Sequence, residues 1–127
     1  MKQNLVNGVA AQGYDVISFF NGTAKKGSKS ITSIFDGGEF HFASAANKTK
    51  FESNPEAYSP QYGGYCAIAM SENKEVNPNP KSWEVRSDKL YLFTRMLFGI
   101  IDVKRQWLKD PEAKRKLADT AWAKKNS

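Results

Sequence analysis

The chain has 127 residues, 40% of them apolar and 25% charged, which is the composition of one folded soluble domain with a modest core and argues against disorder. The formal net charge is +6, which permits weak attraction to nucleic acid or anionic lipid and establishes neither. One cysteine excludes an intrachain disulfide, a zinc site built from paired cysteines and C-x-x-C-H haem attachment, and without a run of about eighteen apolar residues no membrane span is expected.

Residues 1–12 are polar and contain glycine, and read as an extended N-terminal arm. They hold no apolar stretch of signal-peptide length, which fits a cytoplasmic protein or a mature exported one carrying an added Met1. The domain proper is expected over residues 13–127. Val16, Phe19 and Phe20 share a helical face, and Asn21-Gly22 accepts the positive φ of a helix stop, so a short helix is predicted there. Residues 30–35 read as a strand. Asp36-Gly37-Gly38 is a turn signal, and Phe40 and Phe42 then alternate with His41, which predicts a β-hairpin.

Ser44 is the expected N-cap of a helix running to about residue 53, ended by Pro55 and a short turn to Tyr58. Residues 59–65 read as a loop in which Gly63-Gly64 frees the backbone. The apolar run from Cys66 to Met70 fits a helix or a strand. Trp83-Glu84-Val85 and Leu90-Tyr91-Leu92 flank Ser87-Asp88-Lys89 and predict a second hairpin. After Thr94 the period reads as helical, with Leu97, Ile100, Ile101, Lys104 and Leu108 on one face and Trp107 beside it. Asp110-Pro111 restarts a helix, with Leu117, Ala118, Ala121 and Trp122 as its stripe. The expected fold class is α+β: small antiparallel hairpins with short helices and a helical C-terminal segment docked through Trp107, Leu117 and Trp122.

Six short motifs occur in order. They are Gly13-Tyr14-Asp15, Phe42-Ala43-Ser44-Ala45-Ala46-Asn47, Phe51-x-x-x-Pro55-x-x-Tyr58, Pro60-Gln61-Tyr62-Gly63-Gly64-Tyr65-Cys66-Ala67, Pro80-x-x-Trp83 and Lys89-Leu90-Tyr91-Leu92. Together they resemble the YHS-domain family over residues 13–122, and most closely its small, often exported bacterial members. The resemblance implies a metal-binding role, with copper as one cargo, and a periplasmic or secreted location; a cytoplasmic one is the alternative. Metal-binding members usually carry paired cysteines. This chain departs from that pattern, with Ser44 and Asn47 at the hairpin-to-helix junction.

Candidate chemistry therefore falls on few residues. Cys66 is the only thiol, a soft ligand for copper or zinc and a nucleophile when ionised, or else a small buried hydrophobe. His41 is the only imidazole, a metal ligand or base, or a hydrogen-bonded bystander facing away from its two phenylalanine neighbours. Asp15 is a hard oxygen donor or a helix cap. Tyr14, Tyr62 and Tyr65 flank these positions and are expected to line a pocket or to be core with a polar tip. The first functional expectation is a small non-enzymatic ligand-binding module holding copper or zinc through Cys66, shared with His41, Asp15 or an added ligand, with the thiol at least partly accessible. The alternatives are a thiol-dependent redox protein or enzyme, and a structural or partner-binding domain. No nucleic-acid motif is present, and the C-terminal lysines and arginines read as a solvated helix face.

Overall fold

Type I′-like turns, with both central residues in the left-handed region, set the layout of the chain. In the computed structural model, which describes residues 2–126, Asp36 (φ 51°) and Gly37 (φ 80°) join β3 (Ser28–Phe35) to β4 (Gly38–Phe42). Ser87 and Asp88 (φ 51° and 62°) likewise join β5 (Asn79–Arg86) to β6 (Lys89–Phe93). The same device, Asn7-Gly8, folds the N-terminal stretch into β1 (Leu5–Val6) and β2 (Val9–Ala10). That stretch is extended, yet it belongs to the sheet: β2 pairs in parallel with β4, giving the order β1-β2-β4-β3.

The helices are short and capped where the sequence marks them. Asp15 caps α1 (Val16–Phe20), and Ser44 Oγ accepts the Asn47 N–H at the start of α2 (Ala45–Ser53). Pro55 opens the single turn α3 (Pro55–Tyr58). The ambiguous apolar run resolves as α4 (Ala67–Ser71), with Cys66 at its N-cap position. The fold is α+β, with both antiparallel hairpins and helices in place.

Side chains pack into two clusters. One gathers Phe19, Phe40, Phe42 and Phe51, with the Phe40 and Phe51 rings 4.7 Å apart. The other gathers Met70, Tyr91, Phe93 and Trp107, with Trp107 4.7 Å from Tyr91 and 5.4 Å from Phe93. Strand β6 serves both. Its alternation sends Leu90 and Leu92 to the first cluster, and Tyr91 and Phe93 to the second.

The segment after Thr94 differs from the sequence expectation. Residues 95–102 form a third hairpin, β7 (Arg95–Met96) and β8 (Ile101–Asp102), in the register Arg95↔Asp102 and Met96↔Ile101. Its turn passes through Leu97, Phe98 and Gly99, all at positive φ. The spacing of Leu97, Ile100, Ile101, Lys104 and Leu108 is helical by coincidence: Leu97, Ile100 and Leu108 are exposed. Helix α5 (Lys104–Lys109) begins only after Val103, and its buried residue is Trp107. Helix α6 (Pro111–Lys125) lies against α4 through Ala118 and Ala121, whose small side chains allow close approach, while Trp122 packs near Tyr65. Leu117, expected in that contact, is exposed. The lysines at the end of α6 lie on its outer face, and Arg115 bridges Glu112 and Asp119 there.

Candidate functional site

The three proposed ligands are not brought together. Asp15 is fully buried and fully used. Its Oδ1 accepts from the Ile17 and Ser18 amides at 2.9 and 3.3 Å, and its Oδ2 from the Ala43 amide and Asn47 Nδ2, both at 2.8 Å. Four donors leave the carboxylate no role beyond tying α1 to the β4–α2 junction.

Cys66 is fully buried in the cluster of Met70, Phe93 and Trp107, which corrects the expectation of an accessible sulfur. Its amide donates to Val76 O at 2.9 Å, and its Sγ accepts the Thr94 amide at 3.2 Å. Burial pushes the thiol pKa above its ordinary 9.0, and the backbone donors only partly oppose this. The reactive thiolate is therefore disfavoured. Among the described residues no group of three or more histidine, cysteine or acidic side chains is placed to hold a metal ion.

His41 is the one of the three that borders a cavity. On β4 it points away from Phe40 and Phe42, and its Nε2 meets Glu39 Oε2, two residues earlier on the same face, at 2.7 Å. Two glycines press over it. At Gly13 (φ 80°) a side chain would be strained, and a Cβ there would stand 3.5 Å from His41 Nδ1. A Cβ on Gly27 would fall 2.4 Å from the His41 carbonyl carbon, so only glycine fits. The Gly27 amide donates to Gly13 O at 2.8 Å and locks the crossing. A cleft of about 690 Å³ opens here. Val6, Asn7, Val9 and Gln12-Gly13 form one side, Lys26-Gly27 and Lys29 another, and Asn77-Pro78 the rim, with His41 in the wall. Gln12 Nε2 donates to Pro78 O at 2.9 Å and pins that rim.

The tyrosines divide. Tyr62 lines a second, smaller cavity of about 470 Å³ beside Gln3, Pro60 and Trp122. There it donates its hydroxyl to Asp119 Oδ1 at 2.8 Å, and burial together with that acceptor pushes its pKa strongly upward. Tyr14 stacks near Phe19 with Lys26 Nζ 6.0 Å above its ring, and Tyr65 packs near Trp122; neither lines either cavity. Sequence reasoning missed the cleft itself. Its signal was the glycine inside the basic run Lys25-Lys26-Gly27-Ser28-Lys29, a place where backbone must approach backbone. No family profile, curated protein or solved structure matches this chain.

Proposed function

We propose that this chain is a small non-enzymatic ligand-binding module of YHS-like build, and that its ligand is a small anion held in the cleft beside His41. The observation that carries this reading is the polarity of the lining. Lys26, Lys29 and His41 line the cavity, and among the described residues no carboxylate does; Glu39, bonded to His41 Nε2 at 2.7 Å, lies outside the lining. Pocket walls of valine and glycine with a few convergent polar groups are the usual make-up of a small-ligand site. A lysine ammonium is a point donor suited to carboxylate or phosphate oxygens.

Two motifs behind the YHS resemblance meet in this half of the molecule. Gly13 of the first motif lines the cleft, and Asp15 of the same motif bonds Ala43 and Asn47 of the second. A thiol-based reaction has less support, because Cys66 is sealed and its thiol is held protonated.

The test is a titration followed by amide and imidazole resonances, using phosphate, acetate and citrate in turn. Saturable shifts at Gly13, Gly27 and His41, with dissociation constants of about 1 mM or tighter, are expected for at least one anion. Lys26→Glu with Lys29→Glu should remove them. Absence of saturable shifts with all three probes overturns the reading. A parallel copper or zinc titration separates the metal implied by the resemblance, because metal bound at His41 would perturb its ring without needing either lysine.

A further inference from the structure

We propose that the β7–β8 hairpin is a membrane-docking tip that inserts into the interface of a bilayer containing anionic lipid. The tip stands out from both core clusters. Phe98 is 107% exposed and Ile100 82%, with Leu97, Met96 and Ile101 exposed beside them. Large apolar side chains concentrated in one place mark an interaction site, whereas single ones do not. Here six consecutive residues, Met96 to Ile101, contain five such side chains and one glycine.

The backbone holds them outward. Leu97 and Phe98 sit at φ 51° and 55°, a region that bulky residues seldom adopt. The loop closes on its own hydrogen bonds, Gly99 N–H to Met96 O and Ile100 N–H to Leu97 O, both 3.2 Å. A side chain turned inward would join the core; these are turned away from it.

The occupant is argued from charge and shape. Residues 95–105, the hairpin and the start of α5, carry three cations (Arg95, Lys104 and Arg105) against one carboxylate, Asp102, for a net +2. Asp102 is already engaged by Arg95 and Ser82, so its charge is largely neutralised at the hairpin base. Lys104 and Arg105 open α5 directly after β8, which puts ammonium and guanidinium groups at the foot of an apolar tip. Apolar area buried in the acyl boundary, flanked by cations for phosphate headgroups, is the usual arrangement of interfacial binding. A narrow tip of five side chains is also too small for a stable protein interface, which takes about 20 residues a side.

Co-sedimentation of the full chain with vesicles tests this. Binding is expected to phosphatidylcholine vesicles containing phosphatidylglycerol, with little to phosphatidylcholine alone and a loss at high salt. Phe98→Ser with Ile100→Ser should weaken binding at least about tenfold while leaving the melting temperature unchanged, since both side chains are in water already. Lys104→Glu with Arg105→Glu should weaken it on anionic vesicles. Failure of the parent chain to bind, or equal binding by the serine variant, overturns the proposal. So does a concentration-dependent dimer in sedimentation velocity that the serine variant abolishes, because the tip would then serve a second copy of the chain.

Discussion

Asp15 Oδ2 accepts the Asn47 side-chain amide at 2.8 Å across 32 residues of sequence. With the Ala43 amide on the same oxygen and two α1 amides on Oδ1, one buried carboxylate joins the first helix, the end of β4 and the first turn of α2. The carboxylate that looks like a spare metal ligand in the sequence is a structural joint.

Removal of that joint should be costly. Losing a cap is worth about 1 kcal/mol, and charged hydrogen bonds about 1.5–3 kcal/mol, so Asp15→Ala should destabilise the fold by about 3 kcal/mol in urea unfolding. Asn47→Ala should cost about 1–2 kcal/mol, and much less in the Asp15→Ala background, because the two share one bond. A loss under about 1 kcal/mol for Asp15→Ala would refute the role assigned to it.

Acid stability should depend on Glu84. Burial alone would push its carboxyl up, but hydrogen bonds from Arg86 Nε at 2.6 Å and Trp107 Nε1 at 2.9 Å outweigh this and hold the pKa below 4.5. A group with a lowered folded pKa binds its proton more readily in the unfolded chain. Its stabilisation is complete above 4.5 and is lost as pH falls through the folded value. Melting temperature followed downward from neutral pH should therefore drop less steeply for Glu84→Gln than for the parent. Parallel curves would exclude Glu84 as a source of the acid sensitivity.

At the alkaline end, Cys66, Tyr62 and Tyr91 are all raised, chiefly by burial. The unfolded chain then ionises first, so stability is intact below the ordinary thiol value of 9.0 and falls as pH climbs beyond it. In the native protein Cys66 should resist iodoacetamide at pH 8, and it should react fully in denaturant. Because the sulfur sits in an apolar cluster, Cys66→Ser should cost about 1–3 kcal/mol, against the near-neutral effect expected of an accessible residue. Rapid native alkylation would place the thiol at the surface and overturn its burial.

The C-terminal helices should be indispensable. Truncation after Thr94 removes Val103, Trp107, Ala118 and Ala121 from the second cluster and strands Tyr91, Phe93 and Met70 in water. Loss of the cooperative thermal transition is expected, and Trp107→Ala alone should cost about 3–5 kcal/mol. A truncated chain that melts like the full one would show that the tail is an ornament.

Local signals were legible in the sequence because they are local. Turn pairs, the caps Asp15, Ser44 and Asp110, and period-two alternation around His41 each follow from a few adjacent residues. Long-range facts were not. Nothing adjacent to Asp15 says that Asn47 completes it, and nothing near Cys66 says that Thr94 and Trp107 close over it. Residues 95–102 match a helical period in their apolar spacing, yet Ile100 lies in the turn and Ile101 pairs with Met96. Leu117 is exposed because α6 turns Ala118 and Ala121 toward α4 instead.

Strand β6 has no solvent face along Leu90 to Phe93. Its leucines belong to one cluster and its aromatic residues to the other, so neither half of the molecule can open without exposing the strand's opposite side. The amide protons of β6 should then exchange with solvent only through global unfolding, and should be the slowest in the chain. Two hydrophobic clusters that would each be small for an independent domain are thus tied into one by four residues, Leu90 to Phe93.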